Sequence, residues 1–215
     1  MAAISDIYNS RSATYDSGSN SLHVRQTKTY LSHLKPYLHP GASLLDLACG
    51  IGLLTIPAKS IVGTHGRVVG VDMSNGMLDM ARQKSREQSL DVEWYEHDVS
   101  DLTTLDLGAG EFDLITCASA LILLPSPSTA VHKWTQVLKP GGRIMMDVQT
   151  PGCNVVMDVF SSIGPDVGET LKWDMDRFPT QATLCKVFED AALEVEQVWE
   201  SEAYGSEEID AENTE

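Results

Sequence analysis

The sequence predicts an α/β fold, a doubly wound and mostly parallel sheet with helices on both faces. Three observations predict it. Short apolar runs alternate with helix-like segments, the pattern of βαβ units. The first run, Leu44-Leu45-Asp46-Leu47, closes on a glycine-rich turn, Ala48-Cys49-Gly50-Ile51-Gly52. Asp72, 20 residues after Gly52, ends a second run, Val68-Val69-Gly70-Val71. Glycines in such a turn let backbone approach a ligand closely, and a carboxylate after the next strand can accept both hydroxyls of a ribose. Together they specify a nucleoside-bearing cofactor at the top of a parallel sheet.

Each element follows in order. Residues 1–40 read as a helical N-terminal cap, with Leu31, Leu34 and Tyr37 on one face. The first strand covers 43–47, and the glycine turn opens a helix through Leu53, Ile56 and Ala58 toward Gly63. The second strand covers 67–72. Ser74 stands where an N-cap belongs, and Met77, Met80 and Ala81 at helical spacing give the next helix one buried face. A third strand is expected at 92–96 and a fourth at 112–117. A helix around 130–138 stops at Lys139-Pro140-Gly141-Gly142, which feeds a fifth strand over 143–148. Residues 150–179 lie between that strand and its helix, where a substrate lid would be inserted. A helix at 181–193 and a strand at 194–204 complete a domain spanning 41–204. Residues 205–215 form an acidic tail.

Composition narrows the partners. With 31 acidic and 15 basic residues the net charge is −16, a field that repels phosphate backbones and argues against a nucleic-acid substrate. Cys49, Cys117, Cys153 and Cys185 are too widely spaced for a zinc knuckle or a redox pair, and read as small buried apolar residues. No secretory signal leads the chain and no apolar stretch approaches the roughly 18 residues that cross a bilayer. A cytoplasmic protein with reduced thiols and no membrane insertion is expected.

The turn also discriminates between cofactors. A dinucleotide fingerprint reads G-x-G-x-x-G, the third glycine allowing close helix–strand packing. Here Gly50-Ile51-Gly52-Leu53-Leu54-Thr55 puts threonine in the third place. Asp46 sits four residues before Gly50, and a carboxylate beside a pyrophosphate would put two anions in one low-dielectric site. It suits a cationic ligand, such as an α-ammonium group near a sulfonium. A nicotinamide oxidoreductase is thereby disfavoured. Asp46, Asp72, Asp98 and Ala118-Ser119 all fall at or just after strand ends on one sheet edge, where ligands of such sheets bind.

Those segments resemble the class I S-adenosylmethionine-dependent methyltransferases, of the small-molecule branch that includes ubiquinone/menaquinone-biosynthesis-like enzymes. The resemblance is carried by L-D-L-A-C-G-I-G at 45–52, V-V-G-V-D-M-S at 68–74, H-D-V at 97–99, F-D-L-I-T-C-A-S-A at 112–120 and L-K-P-G-G-R at 138–143, with Tyr15-Asp16 ahead of them. It implies a Rossmann-like methyltransferase fold and S-adenosylmethionine as cofactor, with no metal. It also implies roles. Asp46, Ala48, Gly50 and Gly52 line the methionine end; Asp72 takes the ribose hydroxyls; Met73 packs on the adenine. Asp98 accepts from the adenine amine with Val99 beside it, Ala118 and Ser119 sit near the sulfonium, and Tyr15 closes over the cofactor from the cap.

The acceptor side is less defined. After strand four the chain runs Ala120-Leu121-Ile122-Leu123-Leu124, which suggests an apolar pocket and no base from this loop. His23 is the candidate base, ahead of His97 and His132; Tyr8, Asp147 and Gln149 are further groups able to face a substrate. Methyl transfer to an O, N or C atom of a small apolar metabolite is the leading reading, and a non-catalytic cofactor-binding or partner-dependent module is the alternative. The resemblance implies seven strands, yet nothing after residue 204 has a strand's pattern. An absent seventh strand would leave an open sheet edge for a partner or self-association.

Overall fold

The computed structural model describes residues 2–16, 22–149, 162, 163, 166, 168 and 177–200. Its sheet has five strands in these residues: β1 (Leu44–Leu47), β2 (Val68–Asp72), β3 (Glu93–Glu96), β4 (Phe112–Cys117) and β5 (Leu138–Met146). All pair in parallel, in the order β3-β2-β1-β4-β5. The chain builds outward from β1 to β3, then crosses back to lay β4 on the other side of β1. This reversal makes a crevice beyond the carboxyl ends of β1 and β4, where doubly wound sheets take their ligands.

Helices cover both faces. They are α1 (Ala2–Arg11), α2 (Leu22–Leu34), α3 (Thr55–Val62), α4 (Asn75–Glu87), α5 (Pro127–Trp134) and α6 (Gln181–Glu189). Leu45, Leu47, Val69, Val71 and Ile115 point to one face, packing with Ala130, Val131 and Trp134 of α5 and Val187 of α6. Leu44, Val68 and Leu114 point to the other, against Ala58 and Val62 of α3 and Leu34 of α2. All four β1 residues are buried, as a central parallel strand covered on both sides requires. The indole of Trp134 is fully buried and satisfied, its Nε1–H donating to the Val99 carbonyl at 2.7 Å.

The N-terminal helices are tied down by polar contacts. Asn9 of α1 accepts from the Ser74 hydroxyl at 2.7 Å and from the Gly76 amide at 2.9 Å, so it helps cap α4 from outside. Ser74 itself accepts from the Met77 amide, the expected N-cap. The Ser5 hydroxyl donates to the Met73 carbonyl, and Lys84 pairs with Asp16. Leu34 is buried, with Leu31 and Tyr37 packed beside it.

Three expectations need correction. The helix placed at 130–138 runs Pro127–Trp134, because Pro127 suits a first helical position and starts it early. β5 begins at Leu138, before the predicted turn, and the Lys139–Gly142 stretch bulges within the strand as a register shift between Phe112 and Leu114. The strand expected at 194–204 is absent over 194–200. That segment is held by side chains instead, through an Arg143–Glu196 ion pair and Trp199 stacked on His33. Most of the expected lid at 150–179, with Cys153, and residues 201–215, which hold the end of that strand and the acidic tail, fall outside the described residues. Cys49 and Cys117 are buried free thiols, as expected, and Cys185 is half-buried.

Candidate functional site

Two cavities open in the crevice. The first, about 670 Å³ with its open mouth, is lined by Asp72, Met73, Met77, His97, Asp98 and Val99 from the sheet side and by Ile4 and Tyr8 from α1. The second, about 470 Å³, is lined by Asp46, Cys49, Ile51 and Leu53 around the glycine turn and by His23, Gln26, Thr27 and Tyr30 from α2. Tyr15, Ala48, Gly50, Ala118 and Ser119 line both, so the cavities meet at the switch between β1 and β4.

Each acidic strand end is shaped by its neighbours. Asp72 closes β2 with Oδ2 accepting from the Gly50 amide and Oδ1 from the Ser74 amide, both at 2.8 Å. Burial pushes its pKa up, and these amides pull part of the way back. Each oxygen keeps a lone pair, so the pinned carboxylate can still accept from a diol. Asp46, 2% exposed, accepts from the Thr55 hydroxyl at 2.5 Å and the Thr116 hydroxyl at 2.7 Å. Desolvation pushes its pKa up to about 6 against those two bonds, with the charge of Asp72 adding to the rise. Thr55, which takes the third glycine's place, is therefore a partner of the carboxylate. Asp98 accepts from the Ser100 amide through Oδ1, which orients the side chain where it lines the first cavity.

The non-acidic members are set by backbone geometry. Ala48 and Ser119 have φ of 53° and 56°, a left-handed conformation that a side chain disfavours. Gly50 shares it at 54°, and a Cβ built there would meet nothing within 4 Å, because it would enter the open cleft. Gly52 is different. It lines neither cavity, and a Cβ there would stand 2.9 Å from the Trp94 ring and 3.0 Å from Ile56. Its place is in packing α3 and β3 together, away from both cavities.

The candidate base is in the second cavity. His23 stacks on Tyr15 with centroids 4.5 Å apart and planes 5° from parallel. Burial lowers its pKa, the charge of Arg11 lowers it further, and a Gln26 bond partly offsets both. The imidazole is thus neutral at pH 7 and able to accept a proton. His97 reaches the first cavity but spends its Nε2–H on the Asp101 carbonyl at 2.8 Å. His132 is exposed on α5. Tyr8 lines the first cavity; Asp147 and Gln149 line neither. The apolar run after β4 faces the first cavity through Ala120, Leu123 and Leu124, while Leu121 and Ile122 are buried.

Two features were missed from sequence. His23, Gln26, Thr27 and Tyr30 recur at i, i+3, i+4 and i+7, a polar helical row whose spacing could have revealed the cavity wall. The grip of Asp147 on Ser119 joins residues 28 positions apart and left no local signal.

The joint cleft suits a cationic nucleoside cofactor. Asp46, Asp72 and Asp98 line it, and no Lys or Arg stands among its described lining residues, so pyrophosphate would find no counter-charge. A diol acceptor, a half-apolar slot and an acidic end match the ribose, adenine and α-ammonium-sulfonium parts of S-adenosylmethionine. No described cluster of His, Cys, Asp or Glu has the makings of a metal site.

The chain is similar to known methyltransferases in sequence and in fold. The profile of a methyltransferase domain matches residues 44–142. The demethylmenaquinone methyltransferase of Staphylococcus haemolyticus is 28% identical over 204 residues, 87% of this chain and 84% of that one. The ubiquinone/menaquinone biosynthesis C-methyltransferase of Shewanella pealeana is 30% identical over 172 residues, 72% of this chain and 67% of that one. Among solved structures, magnesium protoporphyrin IX methyltransferase from Synechocystis, crystallised with S-adenosylhomocysteine, is similar in fold. It has a TM-score of 0.60 at 22% identity, over 79% of this chain and 72% of that one.

Proposed function

Because this chain belongs to the class I S-adenosylmethionine-dependent methyltransferases of the quinone-biosynthesis type, we propose that it methylates a ring carbon of a hydroxylated, quinol-like aromatic. That it transfers a methyl group from S-adenosylmethionine to a small molecule follows from the family. The acceptor class is our reading, supported by what the relatives' names say they act on and by the wall of the second cavity. Its lining combines apolar Ile51, Leu53 and Leu54 with the polar row His23, Gln26, Thr27 and Tyr30. A flat ring with hydroxyl groups satisfies both.

The observation that carries the reading is the meeting of the two cavities at Ala118 and Ser119. Bound there, the cofactor supplies an electrophilic methyl on a sulfonium. In this reading Asp72 holds the ribose, Met73 and Val99 flank the adenine, Asp98 accepts from its amine, and Asp46, Ala48 and Gly50 line the methionine end. Residues 1–40 form a cap in which Tyr15 closes the cleft and excludes water. Neutral His23 would accept the ring hydroxyl's proton as the ring carbon becomes nucleophilic, and the proton displaced from the methylated carbon would return to the ring oxygen, leaving an aromatic methylated quinol and S-adenosylhomocysteine. The reading also includes a cytoplasmic location and no nucleic-acid partner at a net charge of −16. No described helix is long and apolar enough to cross a membrane. Self-association at the β5 edge, the last described strand on its side, belongs to it as well.

The test is direct. Protein incubated with methyl-labelled S-adenosylmethionine and a reduced demethylmenaquinone should yield a product labelled on ring carbon, and His23→Gln should slow it about 100-fold, the range for losing a general base. Label on oxygen, or none with any reduced quinone while the cofactor still binds, would falsify the acceptor assignment.

A further inference from the structure

Ser119 lies where the two cavities meet, and its backbone is held at φ 56°. A side-chain-bearing residue does not rest in the left-handed region without restraint. The restraint here comes from the next strand. β5 pairs with β4 so that Met146 stands beside Cys117, which sets Asp147 level with the loop after β4. Asp147 Oδ1 accepts from the Ser119 amide at 2.6 Å, and Oδ2 accepts from the Ser119 hydroxyl at 3.2 Å. Tyr30 of α2 donates to the same carboxylate through its hydroxyl. One half-buried carboxyl group thus joins the floor after β4 to the α2 wall, while lining neither cavity itself.

We propose that Asp147 is a positioning residue for cofactor binding, holding Ser119 in the left-handed conformation that shapes the floor of the joint cleft, with Tyr30 aiming the carboxylate. These bonds come from an amide and two hydroxyls, so burial of the carboxyl group works against folding. A residue kept for stability alone would not need the charge. The proposal rests on the reading that the joint cleft holds S-adenosylmethionine.

The experiment is a double-mutant cycle read as the dissociation constant of S-adenosylhomocysteine by calorimetry, with thermal unfolding recorded on each protein. Asp147→Asn keeps the shape but loses an acceptor, and should weaken binding about tenfold in the native background. Ser119→Gly should weaken it modestly through the lost hydroxyl. In that background Asp147→Asn should cost less than about threefold further, because glycine keeps a positive φ without help. If Asp147→Asn does not fold, Tyr30→Phe replaces it in the same cycle, with an expected loss of about threefold that also shrinks in the Ser119→Gly background. Equal losses in both backgrounds, or no loss at all, overturn the inference. A wild-type protein that binds no S-adenosylhomocysteine overturns the underlying reading instead.

Discussion

Asp46 is buried among threonine hydroxyls with no cation paired to it among the described residues, and its pKa is pushed up to about 6. A carboxyl group whose folded pKa lies above its unfolded one is bound to its proton more tightly by the fold. Stability is then greatest below about pH 4 and is lost as pH rises through about 6. A rise of about two units corresponds to about 3 kcal/mol. Asp46→Asn should therefore raise the unfolding midpoint of the cofactor-free protein at pH 7.5 and flatten its pH dependence between 4 and 6. The same change should weaken S-adenosylmethionine more than about tenfold by removing charge beside a cationic ligand. A lower midpoint at pH 7.5 together with unaltered affinity would place the residue in the fold only. Asp72 poses a different trade, since its oxygens are also acceptors for the Gly50 and Ser74 amides. Asp72→Ala should abolish measurable cofactor binding and also cost about 1–3 kcal/mol, because two amides lose their partners. Calorimetry paired with denaturant unfolding separates the two effects.

At the scale of elements, the glycine turn divides into a half that faces the cleft and a half that packs. Gly52 has φ 79°, and its missing Cβ leaves room for Trp94, which stands beside Gly70 across the β2–β3 pair. Gly52→Ala should cost about 2 kcal/mol from the strained backbone and the collision with the indole. Cofactor affinity in the surviving folded protein should change little, and a large loss of affinity without a stability change would return Gly52 to the site. Which half is which was not legible beforehand, because the motif Gly50-Ile51-Gly52 has the same letters whatever lies beneath it. Strands β1, β2 and β4 were legible since their buried runs end in recognisable turns. The expected strand at 194–204 shows the limit of such reading. Leu193 and Val195 alternate with Glu194 and Glu196 as a strand would, yet Glu196 is drawn to Arg143 and Trp199 to His33. Side-chain pairing across the fold decides that segment, and a local pattern carries no record of it. The same holds within the site. Strand-end and turn residues such as Asp46, Gly50, Asp72 and Asp98 could be named from motif and alternation, whereas the Asp147–Ser119 bond arises only when β5 is laid beside β4.

For the whole molecule, titration couples the cofactor to the fold. Burial raises the pKa of Asp46, Asp72 and Asp147 alike. Each contributes a loss of stability as pH climbs above about 4. Glu93 is lowered by its bond to Arg67, and Asp113 is lowered by Ser43 and Lys139 against its own desolvation. These two favour the fold above about pH 4 and lose that contribution only below it, so they do not oppose the first three in the same window. His23, lowered chiefly by burial, does oppose them: its folded state resists protonation, so stability rises with pH up to about 6.5. Three carboxyl groups stand against one imidazole, and the net charge of −16 adds self-repulsion as the acids ionise. The cofactor-free protein should accordingly unfold at a higher temperature at pH 5 than at pH 7.5. In the proposed site S-adenosylmethionine would bring a positive sulfur to a cleft lined by Asp46 and Asp72, and so should bind more tightly once they are ionised. Since a ligand stabilises in proportion to the logarithm of its saturation, the rise in unfolding temperature at a fixed excess of S-adenosylmethionine should be larger at pH 7.5 than at pH 5. S-adenosylhomocysteine, with a neutral sulfur, should show a smaller difference between the two pH values. Scanning calorimetry of the protein alone and with each ligand gives all the quantities at once. Equal S-adenosylmethionine shifts at the two pH values would mean that the buried acids do not act on the sulfonium, and the charge of the cleft would then have to be explained by the fold alone.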